Sequence, residues 1–120
     1  MRLASFQVPG SGGAKEEVSV VALPGDAGVD LANVNRWRGQ AGLAPVDDAA
    51  LDSITTQLSS NGLHFVATDA SGADSAAPRN VAVMVPWQGH TWFFKLTGPN
   101  DAVGRVKPAF LEFIQTVTTP

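Results

Sequence analysis

The sequence predicts an α+β domain: a mostly antiparallel five-stranded sheet flanked by helices, in the order ββααβββα. Three observations carry this. Strand-like segments come in neighbouring pairs near both ends of the chain, each pair joined by a turn-forming connection. Between the pairs, and again at the end, apolar residues recur at helical spacing. Hairpins on both sides of a helical insertion favour an antiparallel sheet over the parallel one built by alternating strands and helices.

Arg2 to Val8 alternates, with Ala4, Phe6 and Val8 on one face and Leu3, Ser5 and Gln7 on the other. The polar connection PGSGGAKEE then leads to a second strand, Val18 to Leu23, and residues 9–17 are expected to be mobile, with a tip near Lys15. After Pro24-Gly25, Asp26 or Asp30 can cap a helix running to about Gln40, which Gly42 ends. Pro45 comes next as a breaker, and Asp47 caps a second helix whose Leu51, Ile54 and Leu58 form one buried stripe before Asn61-Gly62 stops it. Leu63 to Thr68 is a third strand and SGADSAAP, residues 71–78, a mobile surface loop. Asn80 to Val85 is the fourth strand, joined through Trp87, Gln88 and Gly89 to a fifth, His90 to Leu96. Trp92, Phe93 and Phe94 put large apolar groups on both faces of that fifth strand, which places it centrally with helices on both sides. Thr97 to Asn100 turns into a closing helix with Val103, Val106, Phe110, Phe113, Ile114 and Val117 at helical spacing; Pro108 predicts a kink there, or a short helix before a longer one.

A chain of 120 residues with 44% hydrophobic content is one domain, residues 1–120, with enough apolar material for a core. The formal net charge of -3 leaves no basic excess to hold a polyanion, so nucleic acid is not expected as a partner. No apolar run approaches the roughly 20 residues needed to cross a bilayer, so a soluble chain is expected. The segment after Met1 lacks the charged and apolar regions of a signal peptide, so any such peptide has been removed or never existed. The absence of cysteine removes disulfides, thiolate metal sites and a cysteine nucleophile together. The low lysine content and the abundance of small polar residues place the chain slightly in favour of the periplasm or cell envelope over the cytoplasm.

The combination GDAGVDLANVNRWRGQAGL, followed by VPWQGHTWFFKLTGPNDAV and a closing apolar helix, resembles a family of uncharacterised bacterial proteins and lipoproteins frequent in planctomycetes and their relatives. The resemblance covers nearly the whole chain. The later half, an aromatic strand running into LTGP and then a helix, also looks like the PsbP fold of photosystem-associated subunits and of a eukaryotic Ran-binding nuclear-import factor. That likeness implies an α/β/α sandwich and a binding or assembly role; it brings no catalytic residues to this chain, and fold alone transfers no function.

The candidate chemistries are sparse. His64 and His90 have no spacing that makes them a metal pair, and no metal or cofactor is expected. Ser53, Ser59 and Ser60 have no nucleophile elbow near them. Asp47, Asp48 and Asp52 suit the first turns of a helix, where its dipole favours negative charge. PGSGG precedes a strand, not a helix, so it is a hairpin loop and no phosphate cradle. Trp87, at a hairpin tip, is either an exposed binding anchor or a ring folded over the sheet.

Turning NVNRWRGQAGL about 100° per residue gathers Leu31, Val34, Trp37 and Ala41 on one stripe and Asn33, Arg36 and Gln40 on a polar strip. Trp37 is then a core anchor. Arg38, at the border of the apolar stripe, is expected to be largely buried and bonded to a carboxylate or to backbone carbonyls. Its loss should cost roughly 2 to 4 kcal/mol. Two function classes remain: a non-enzymatic interaction or assembly domain of a bacterial envelope or exported protein, with an unidentified protein partner and a monomeric or weakly dimeric state, or a small-molecule or saccharide site, enzymatic in one version, built on Asn33, Arg36 and Gln40. A deep pocket lined by these groups would favour the second.

Overall fold

Strands rich in β-branched and aromatic residues on both faces must be covered on both sides, and the strands Pro78–Trp87 and His90–Pro99 meet that demand at the centre of a three-layer sandwich. In a computed structural model, which describes residues 2–9, 15–24, 31–74 and 76–118, the elements are β1 (Arg2–Pro9), β2 (Lys15–Pro24), α1 (Leu31–Gln40), α2 (Asp48–Ile54), β3 (Thr55–Ser60), β4 (Leu63–Ser71), β5 (Pro78–Trp87), β6 (His90–Pro99) and α3 (Asn100–Gln115). All strands join one antiparallel sheet of order β1-β2-β6-β5-β4-β3. The expected faces of Ala4, Phe6 and Val8, the connection at 10–14, and the caps Asp26 and Asp30 fall outside the described side chains and residues. Pro9 and Lys15 to Glu17 belong to the paired β1 and β2.

The pleat sorts the core into two halves. Odd-numbered Val81, Val83 and Val85 of β5, with Phe65, Phe94 and Leu96, face α3 and its Val103, Phe110 and Ile114. Even-numbered Ala82 and Met84, with Phe93, face α1 and α2, where they meet Val34 and Trp37, with Leu51 and Ile54 at the margin. Each fully buried Val, Leu or Phe contributes roughly 1.5–3 kcal/mol, so both layers are held chiefly by these positions. Among the described residues, no helix is long and apolar enough to cross a membrane.

The sheet has one strand more than the five expected. Residues 55–60, assigned from sequence to the second helix, form β3 and pair with β4 from Thr55 opposite Thr68 to Ser60 opposite Leu63. The physical reason lies at both ends of the segment. Thr55 and Thr56 are β-branched and favour extended backbone, while Asn61 (φ 55°) and Gly62 (φ 77°) form a tight hairpin turn, not a helix stop. Leu58 consequently packs on the α3 face, away from Leu51 and Ile54 on the other. The same left-handed pair recurs at Gln88 and Gly89 between β5 and β6.

Of the two outcomes expected at Pro108, the split into a short and a longer helix does not occur, because α3 is one continuous helix through it. The residue whose carbonyl would accept its missing hydrogen bond is Gly104, and glycine has the backbone latitude to accommodate the ring. The stretch 71–78, expected to be a mobile loop, begins and ends in strands and is tied across its neck, with Gly72 N donating to Pro78 O at 3.0 Å. Asn100, the first residue of α3, holds the middle: its backbone N–H donates to Ala77 O at 2.7 Å, and its side-chain amide to Gly72 O at 3.0 Å and Asp74 O at 3.2 Å.

Candidate functional site

α1 is the element on which most candidate residues stand, and its last turn is closed by standard local chemistry. Gly42 adopts φ 77°, and Leu43 N donates back to Arg38 O at 2.8 Å while Gly42 N donates to Gly39 O at 3.1 Å, a Schellman ending. From the sheet, the buried Asn80 amide donates to Trp37 O at 2.8 Å, a second donor to a carbonyl that Ala41 N reaches at 3.2 Å. Asn35 anchors the connection from α1 to α2: its amide donates to Val46 O at 3.0 Å and its oxygen accepts from Val46 N at 2.8 Å. Asp47 then caps α2, accepting from Ala50 N at 3.2 Å.

Trp37 is 3% exposed and meets Phe93 edge-to-face, with centroids 6.1 Å apart. Arg38 is half-buried, not largely buried as the helical projection implied, and its one bond among the described residues is Nε to Ala44 O at 2.8 Å. The long side chain runs out along the end of α1, so its head escapes the low-dielectric interior that a pure angular argument assigned to it. Arg36 is exposed, with its guanidinium carbon 6.0 Å from the Trp37 ring centroid. Gln40 is exposed and accepts from Lys95 Nζ at 2.6 Å; Asn33 is half-buried.

These residues do not converge. Arg36 lines a cleft of about 160 Å³ with Trp37, Phe93 and Ser19. Gln40 lines a separate one of about 300 Å³ with Arg79, Asn80 and Thr97. Trp87 stands on the opposite face of the sheet, since it continues the α3-facing series Val81, Val83, Val85. Its half-buried ring, with half-buried Trp92 and with Leu63, Phe94 and Val117, lines an apolar cleft of about 270 Å³. Near that end of α3, Phe113 is 44% exposed and packs edge-to-face on Phe94 at 6.1 Å between centroids.

His64 and His90 are exposed and lie on different strands, and the described residues contain no metal-binding group of three or more His, Cys, Asp or Glu. Asp47, Asp48 and Asp52 are all exposed on or beside α2. The charged cluster that does form went unnoticed in the sequence: Arg79 grips Asp69 with Nε at 2.9 Å from Oδ1 and Nη2 at 2.6 Å from Oδ2, and Lys107 Nζ adds a third contact at 2.7 Å. Burial raises the Asp69 pKa, but the hydrogen bonds and charges of Arg79 and Lys107 outweigh it and hold the carboxyl below its ordinary value. The carboxylate in turn raises Arg79. Asp69, Arg79 and Lys107 come from β4, β5 and α3, a separation that no local sequence signal reports.

Comparison with known proteins adds fold and no activity. No protein-family model and no curated protein matches the chain. A crystal structure from Pseudomonas aeruginosa, described as a protein of unknown function and candidate regulator, has a TM-score of 0.58 over 98% of this chain and 82% of its own, at 15% identity. At that identity the likeness is one of architecture.

Proposed function

We infer that the chain is a non-enzymatic interaction or assembly domain of a bacterial envelope or exported protein. The observation that carries this reading is the apolar surface on the α3 face, where half-buried Trp87 and Trp92 line a cleft beside exposed Phe113. Rigid aromatic groups that are neither fully buried nor scattered singly are the usual anchors of protein contacts. The placement of Arg36 and Gln40 in separate clefts, neither of them lined by Asn33, speaks against a single small-molecule pocket built from that strip. The resemblance to PsbP-like assembly factors, and the description of the Pseudomonas aeruginosa structure as that of a candidate regulator, point the same way.

The test is site-specific crosslinking in a producing cell. A photoreactive residue at Phe113 should give a discrete protein adduct in the envelope fraction, and Trp87→Ser should abolish it, while the same group at Arg36 should give none. Adducts of equal yield at both positions, or none at Phe113, would sink the reading.

A further inference from the structure

Around the edge of the sheet where β3 begins runs another cleft of about 340 Å³, lined by Arg38 and Ile54 from the α1–α2 face and by Leu58, Val81, Lys107 and Leu111 from the α3 face. Its apolar lining on the α3 face is Leu58, Ala67, Val81 and Leu111, of which Val81 is 1% exposed. Its charged lining is Arg38 from α1, Asp69 from β4 and Lys107 from α3. The charge there is unbalanced. Arg79 already grips Asp69 with two nitrogens, and Lys107 shares one oxygen of the same carboxylate, so one anion serves two cations before Arg38 is counted. Arg38 uses only Nε, on the Ala44 carbonyl, and its terminal nitrogens make no hydrogen bond among the described residues. Thr68, 6% exposed, also lines this cleft, and its buried hydroxyl has no partner among the described residues. In a chain of formal charge -3, a cleft lined by two cations, one carboxylate and five apolar side chains is a specific combination.

We propose that this cleft binds a free carboxylate with a single apolar tail. A planar carboxylate suits the two open nitrogens of a guanidinium fork, and Lys107 supplies a second charge. The tail would lie against Leu58, Val81 and Leu111. The volume is about twice that of the roughly 150 Å³ apolar cavity known to take benzene, which admits one short tail and not the paired tails of a membrane lipid. The site is independent of the Trp87 surface, from which it differs in every lining residue.

Sodium decanoate below its micellar concentration, titrated into the full chain by calorimetry and amide NMR, tests the proposal. Saturable binding is expected, with shifts at Thr68, Asp69 and Leu111. Arg38→Gln and Lys107→Gln, each confirmed folded by its melt, should weaken binding by about tenfold or more, the worth of one charge-assisted hydrogen bond; methyl decanoate should be weaker to a similar degree. Weakening by either variant together with those shifts supports the site. Absence of saturable binding overturns it, as do affinity unchanged in both variants, shifts confined to Trp87 and Trp92, and binding to anionic phospholipid vesicles without binding to decanoate.

Discussion

Arg36 and Arg38 sit on the same turn of α1, yet their surroundings make them unequal. Arg38 holds the Ala44 carbonyl from a half-buried position, so Arg38→Ala should cost about 1 kcal/mol in a urea melt, below the 2 to 4 kcal/mol of a buried charge network. Arg36→Ala, which removes only an exposed contact with the Trp37 ring, should stay within about 0.5 kcal/mol. Asn80 acts on the same helix end: its buried amide is a second donor to the Trp37 carbonyl, beside Ala41 N, and Asn80→Ala should lose about 1 kcal/mol with that buried hydrogen bond. Asp69 contributes a pH dependence of definite sign. Its folded pKa is depressed, so its contribution is fully present above roughly pH 4 and is lost as pH falls through the lower folded value. Stability measured from pH 5 downward should therefore fall less steeply in Asp69→Asn than in the unmodified chain; equal slopes would remove the ion cluster from the account.

At the scale of elements, β3 depends on its turn. Asn61 combines a left-handed backbone with amide bonds to Gln115 O at 2.9 Å and Val117 O at 3.1 Å, and thus pins the end of α3 to the β3–β4 hairpin. Asn61→Ala should cost about 1–2 kcal/mol and speed hydrogen exchange at Thr116 and Val117; exchange unchanged there would mean that the pin is idle. This element also marks where sequence reasoning stopped. The three- and four-residue spacing of Leu51, Ile54 and Leu58 is compatible with one helix, and only the pairing partner β4 decides that the third member belongs to a strand. The strands β5 and β6, by contrast, were legible because their pattern satisfies two neighbours and two faces at once. Within the candidate site, the Gly42 ending and the Asp47 cap were readable as local chemistry. Asn35, Asn80 and Asn100 were not, since an asparagine's role lies in the remote backbone group it meets.

Across the molecule, two apolar layers share one sheet, and the described residues gather no group of three or more metal-binding side chains, so EDTA should leave the melting temperature unchanged; an appreciable drop would reveal a ligand set that His64 and His90 do not explain. The strand order has a further consequence, for kinetics. β3, β4, β5 and β6 form a continuous meander that runs directly into α3, so most of the sheet can zip from hairpin to hairpin with short loop closures. The seam between β2 and β6 is different, because Val18 lies opposite Leu96 across most of the chain. Closing it demands the largest entropy loss of any strand pairing in the fold. The C-terminal half is thus positioned as the template on which the N-terminal hairpin is captured late, and the β1–β2 hairpin as a unit that leaves early when the protein unfolds.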